Sequence, residues 1–189
     1  MRFKEVTLVS LIGPEISRHE LGQVPEDGKS YELVKGALLV SPSPKPKHQL
    51  VVLNCAEFLR KFKHQGYGEV YTAPLDVVLD DHNVVEPDVL FIRTERLHIV
   101  TDDNVVGAPD LVVEVVSPRT AARDRGIKAH LYAQFGVGEY WILDPESETL
   151  VSYQLKDGVY FEYGPYLKND TYNSPLFPTI PVDVACFFP

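Results

Sequence analysis

A chain of 189 residues is long enough to bury a real core as one domain, and its 44% hydrophobic and 24% charged content is ordinary for a soluble globular protein. No run approaches the ~20 apolar residues that a membrane span needs, and the net charge of −9 argues against a dedicated nucleic-acid binder with a basic surface all round. A nuclease is not excluded, because the charge is uneven: Lys45 to His64 carries four net positive charges and Ser117 to His130 three, whereas from Glu139 onward eight acids face only Lys156 and Lys168. Cys55 and Cys186 lack zinc-type spacing and read as free thiols in a reducing compartment. Met1 to Ile12 faintly imitates a signal peptide, but Glu5 interrupts it and no small-residue cleavage pattern follows, so the expected location is cytoplasmic.

Leu21 to Ser30 is polar and glycine-containing, as a loop is. Tyr31–Lys35 and Ala37–Val40 flank Gly36 and predict a tight hairpin. The prolines of Ser41 to Pro46 cannot continue a sheet. Leu50, Leu53, Cys55, Ala56, Phe58, Leu59 and Phe62 then follow helical periodicity up to Gly66. Glu69 to Leu79 and Val84 to Ile92 are strand candidates joined by an Asp80–Asn83 turn. A buried strand over Asp110–Val116 stops at Ser117-Pro118, and a second helix runs from about Thr120 to Phe135 with Ile127, Leu131 and Phe135 as its core stripe. Strands over Glu139–Leu143, Thr149–Leu155 and Val159–Tyr163 complete the pattern. This order predicts an α/β (α+β) fold with a central mixed β-sheet flanked by helices.

Two acids stand out. In Asp110–Val116, Leu111, Val113 and Val115 share one face of a strand, and Val112, Glu114 and Val116 the other. Both faces are otherwise apolar, so the strand is covered on both sides and an ionised Glu114 is costly unless compensated. Asp88 repeats the problem, with Leu90 and Ile92 on its face. Two such carboxylates on different strands suggest a metal site, and their repulsion should raise at least one pKa. No P-loop, dinucleotide-type glycine run, G-x-S-x-G or cysteine zinc pattern competes with it, and His19, His64, His82, His98 and His130 lack ligand spacing.

The motifs that carry a resemblance are Tyr31-Glu32-Leu33-Val34-Lys35-Gly36, Ser41-Pro42 with His48, Pro87-Asp88-Val89, and Pro109 to Pro118. Asp124 with Lys128 and Tyr132, Gly138 to Pro145, and Ser174 to Pro178 complete the set. In this order the chain resembles the PD-(D/E)xK nuclease superfamily. More narrowly it is similar to the Uma-two family of restriction endonucleases, over nearly its whole length. The resemblance implies a restriction-endonuclease-like fold over residues 1–189 and a DNA substrate. It implies that Asp88 and Glu114 hold Mg²⁺, or Mn²⁺, together with the backbone carbonyl of Val115. Glu32 and His48 match further family positions, at the edge of the site; otherwise Glu32 is an outward residue of a hairpin and His48 a helix-start residue in a basic surface. The superfamily lysine two residues after the second acid is missing, since that position is Val116. The resemblance implies that Lys128 replaces it from the following helix, stabilising the attacking water or the pentavalent phosphate. The alternative is a surface Asp124–Lys128 ion pair.

Three functions compete. The first is a Mg²⁺-dependent DNA endonuclease with Asp88, Glu114, Lys128 and Glu32 as its catalytic set. The second is a degenerate nuclease fold serving as a nucleic-acid or protein interaction module, and the third a metal-dependent hydrolase of small phosphorylated molecules. Many nucleases of this fold act as homodimers, because two cuts need two sites, although the sequence shows no dimer interface.

Overall fold

The computed structural model describes residues 15–24, 27–41 and 43–189; the signal-like stretch before Gly13, and Pro42, lie outside them. A one-turn helix α1 (Arg18–Leu21) leads into a hairpin of β1 (Ser30–Val34) and β2 (Ala37–Ser41). Its two turn residues, Lys35 and Gly36, have φ of 51° and 73°, the doubly positive turn that matches strand twist. Helix α2 (Pro46–His64) begins earlier than the leucine periodicity indicates. Pro46 is its first residue, where a missing N–H costs nothing.

The two long strands expected over residues 69–92 are four: β3 (Gly68–Thr72), β4 (Val77–Asp80), β5 (Asn83–Val85) and β6 (Val89–Arg93). The breaks fall at Pro74 and Pro87, which cannot donate to a ladder. There the hairpin passes from one sheet to another. Its outer halves, β3 and β6, pair in a six-stranded sheet, whereas β4 and β5 join β1 and β2 in a five-stranded one. Next come β7 (Val105–Val106) and β8 (Leu111–Val115). A helical segment follows, made of α3 (Ala121–Arg123), a π-helical turn over Asp124–Lys128, and α4 (Ala129–Phe135). The chain continues through β9 (Glu139–Asp144), β10 (Thr149–Lys156), β11 (Val159–Leu167) and a small pair, β12 (Thr171–Tyr172) with β13 (Val182–Asp183).

The six-stranded sheet runs β11-β10-β9-β8-β6-β3 and is mixed, since β8 and β9 are parallel and the other pairs antiparallel. A parallel pair needs a crossover, and the segment from Ala121 to Phe135 supplies it. One face of the sheet carries Val89, Phe91, Leu111, Val113, Val115 and Trp141, and packs on α2 and the C-terminal Phe177 and Phe187. The other carries Leu90, Ile92, Val112, Val116, Tyr140 and Ile142, and packs on the crossover helix and on Val34, Val77 and Val85 of the second sheet. This is the partition expected from alternation, and it puts Glu114 on the second face. Among the described residues, no helix is long and apolar enough to cross a membrane.

Strand β3 fixes β6 through pairs from Gly68↔Arg93 to Thr72↔Val89, the end where Asp88 lies. A Cβ on Gly68 would stand 2.1 Å from the Ile92 carbonyl oxygen and 2.8 Å from Phe91 Cζ. Gly68→Ala is expected to lower unfolding stability by about 2 kcal/mol or more in chemical denaturation. An unchanged midpoint would show that β3 shifts without cost.

Candidate active site

Strands β6 and β8 are antiparallel, with Val89 opposite Val113 and Leu90 opposite Val112. The ladder ends there, and Asp88, the next residue outward, lies beside the Glu114–Val115 end of β8. Asp88 lies just before β6, after Pro87, with its side chain 20% exposed, and its Oδ2 accepts the Val115 N–H at 2.8 Å. His48, in the first turn of α2, brings Nε2 to 3.3 Å from the same oxygen. Burial works against the His48 charge, but Asp88 and the Val115 carbonyl outweigh it and raise the imidazole above its ordinary value. Among the described residues, His48 Nδ1 is the one buried side-chain nitrogen or oxygen without a hydrogen-bond partner.

Glu114 is buried, and its Oε1 accepts the Tyr132 hydroxyl at 2.8 Å and pairs with Lys128 Nζ at 2.5 Å. Lys128 also donates to Glu32 Oε1 at 2.7 Å, and that oxygen accepts the Glu86 N–H at 3.0 Å. The lysine is 1% exposed, so its charge is enclosed between carboxylates. Arg123 closes the group, donating from Nε to Asp124 Oδ1 at 3.1 Å and from Nη1 to Ser41 Oγ at 3.0 Å, with Nη2 3.7 Å from Glu32 Oε2.

Lys128 reaches from the helix to the sheet acids, as expected, and makes its ion pairs with Glu114 and Glu32; the alternative surface pair with Asp124 does not form, because Asp124 is buried against Arg123. The inward stripe of the helix is Asp124, Lys128, Leu131 and Tyr132, while Ile127 and Phe135 are only half-buried. The π turn begins at Asp124 and ends at Lys128, and such wider turns recur at functional sites. Glu32 is likewise no edge residue. It shares a strand face with Val34, which packs between the sheets, and at 3% exposure it lies against the buried lysine. Arg123 and Glu86 escaped sequence reasoning. The five histidines read as bystanders, His19, His64, His82, His98 and His130, are all exposed.

The electrostatics follow from this enclosure. Burial pushes Glu114 up to about 8, against Lys128 and with the help of Asp124, Asp88 and Glu32. Repulsion from Asp88 therefore contributes, but burial leads. Burial also opposes the Glu32 charge, yet Lys128 and Arg123 outweigh it and hold that carboxyl below the ordinary range. Lys128 pays for burial too, and Glu114, Glu32 and Asp124 more than restore its proton. Tyr132, raised by burial and by Glu114, remains a hydroxyl donor.

Asp88 Oδ1 and Glu114 Oε2 receive no hydrogen bond from the described residues, whereas each partner oxygen is held by protein donors. In a strand, the N–H and C=O of one residue point to the same edge, so the Val115 carbonyl is turned toward Asp88 with its N–H. Two carboxylate oxygens and one carbonyl would offer a hard divalent ion that keeps several waters an all-oxygen donor set. No group of three or more His, Cys, Asp or Glu side chains in metal-binding arrangement occurs among the described residues. An ion here would thus rest on two side chains, a carbonyl and water.

The model of the Uma2 family, described as "Putative restriction endonuclease", matches residues 18–185. The chain belongs to the Uma2 family. This is the Uma-two family expected from the motifs, and the Uma2 match spans every residue of the site. A solved structure described as "a putative nuclease belonging to DUF820 from Anabaena variabilis ATCC 29413" shares the fold, with a TM-score of 0.75 at 18% identity over 91% of this chain and 97% of that one. No curated protein matches the chain.

Two tests bear on the Uma2 site without assuming an activity. Glu114 has its folded pKa raised to about 8 from 4.5. It therefore withdraws stability as pH climbs through that window, because the unfolded chain ionises first. The stability of Glu114→Gln relative to the natural protein should rise between pH 5 and pH 9 in thermal unfolding; a constant difference would mean that Glu114 titrates normally. Lys128→Met leaves the buried, ionised Glu32 without its nearest cation, beside Glu114, and should cost about 3–5 kcal/mol at pH 7. A cost below about 1 kcal/mol, the scale of exposed pairs, would show the lysine to be solvated.

Proposed function

We propose that this Uma2 protein is a metal-dependent DNA endonuclease that hydrolyses phosphodiester bonds at the Asp88–Glu114 cleft. The observation that carries this reading is that Asp88 is bonded to the Val115 N–H, the residue next to Glu114, and that each of the two carboxylates has one oxygen held by protein contacts and the other without a hydrogen bond among the described residues. Charge supports it. When ionised, Glu32, Asp88, Glu114 and Asp124 exceed Lys128 and Arg123 by two negative charges, or by one with His48 protonated, an excess that favours a cation. A bound Mg²⁺ or Mn²⁺ would polarise the scissile phosphate and lower the pKa of an attacking water.

The chain's own residues have distinct tasks in this reading. His48 and the Val115 N–H orient Asp88, and Tyr132 and Lys128 orient Glu114. An ammonium has three N–H donors; Lys128 gives one to Glu32 and stands in ion-pair contact with Glu114, and in this reading a remaining donor serves an oxygen at the site. Lys45 and Lys47 are exposed at the start of α2 beside His48, and Arg119 is exposed ahead of the crossover helix. This basic rim suits a polyanion that passes over the cleft, and it favours a nucleic acid over a small phosphorylated molecule.

The test is cleavage of plasmid and single-stranded DNA with Mg²⁺ or Mn²⁺. Activity should require the ion and fall at least about a hundredfold in Asp88→Asn and Glu114→Gln, with unchanged circular dichroism. Cleavage that survives both substitutions would remove these acids from the chemistry. DNA binding without cleavage under any metal would favour the interaction module.

A further inference from the structure

Lys128 and a divalent ion have claims on the same carboxylate. The ammonium lies 2.5 Å from Glu114 Oε1, is 1% exposed, and is enclosed by the Glu32 carboxylate at 2.7 Å on its other side. The Tyr132 hydroxyl shares Oε1, so only Oε2 of Glu114 is open. The lysine cannot retreat to solvent: its stem leaves the helix at the end of the π turn, into the space between the two sheets. A second cation arriving at Glu114 would therefore meet a fixed positive charge across a single carboxyl group. Water screens that repulsion only weakly, because Lys128 and Glu114 are buried.

We propose that Lys128 is a resident cation that holds the acid cluster together without metal and thereby sets the affinity of the site for a divalent ion low. This rests on the metal reading above and adds a sign to it. A lysine that served only to contact the phosphate would leave metal affinity unchanged or slightly weakened on removal. The resident cation makes the opposite demand: neutralising position 128 strengthens metal binding while it weakens the fold. Glu32 acts through Lys128 as a positioning residue. It stabilises the ammonium within reach of Glu114, and Arg123 and the Glu86 N–H hold Glu32 in place.

The experiment is Mn²⁺ titration followed by electron paramagnetic resonance and by calorimetry, with no DNA present. Each protein is compared at the pH between 7 and 10 where it binds best. Lys128→Met alone strands the buried Glu32, so the comparison is made in a Glu32→Gln background, which removes that charge. Glu32→Gln/Lys128→Met should bind Mn²⁺ about tenfold more tightly than Glu32→Gln, or better. Glu32→Gln/Lys128→Arg, which keeps the charge, should stay near Glu32→Gln. Equal or weaker binding by the methionine variant, with measurable binding in the natural protein, would overturn the proposal and leave the metal reading standing. Tightening by arginine as much as by methionine would assign the effect to packing and likewise overturn it. Absence of Mn²⁺ binding in every variant would overturn the metal reading itself, and the proposal with it.

Discussion

The burial of one ammonium group between two carboxylates organises the site. An ionised lysine with 1% exposure is tolerable only because Glu32 and Glu114 contact it directly, and each of those acids is tolerable for the same reason. The three residues come from β1, β8 and the crossover helix, separated by 96 residues between Glu32 and Lys128. The pair thus ties the five-stranded sheet to the six-stranded one across the crossover helix. Removal of Lys128 leaves Glu114 with the Tyr132 hydroxyl and Glu32 with Arg123 and the Glu86 N–H as their remaining partners. That mutual dependence makes the cluster a poor candidate for mere stabilisation, since well-packed apolar residues would do as well or better.

The rest of the architecture can be read as a means of bringing that cluster beside Asp88. The parallel β8–β9 pair requires a crossover, and its helix must lie on the face that carries Glu114. Pro87 ends the inter-sheet passage just before β6, which leaves Asp88 beside the Glu114–Val115 end of β8. Helix α2 covers the opposite face and delivers His48 at its first turn to the Asp88 carboxylate. Around the π turn the inward face carries Asp124, Lys128, Leu131 and Tyr132, with Ile127 and Phe135 at its margin.

Much of the fold was legible because period-two alternation survives wherever a strand has distinct faces. The partition of Leu111 to Val116 and the isolation of Glu114 follow from it directly. Glu32 carried the same signal, a carboxylate beside Val34 in an apolar strand. The hairpin turn made an outward face seem equally natural, and only the second sheet closing over it shows otherwise. The split of the residue 69–92 hairpin between two sheets was hidden because Pro74 and Pro87 mark interruptions without saying where the chain resumes. The inward face of the crossover helix was misjudged for a physical reason: apolar stripes report burial only when no buried ion network competes for the same face. Arg123 gave no pattern of its own, since its partners Ser41, Asp124 and Glu32 come from elements that only folding brings together.

The central claim is that Asp88 Oδ1, Glu114 Oε2 and the Val115 carbonyl form one divalent-ion site beside the enclosed lysine. A crystal structure of the protein soaked in Mn²⁺, with data collected at the manganese absorption edge, tests it most directly. The account expects one anomalous peak in contact with both carboxylates and the Val115 carbonyl, with Lys128 still paired to Glu32. A peak elsewhere, such as among the acids Asp76, Glu86 and Asp103, with the Asp88–Glu114 cleft empty at saturating Mn²⁺, would contradict it.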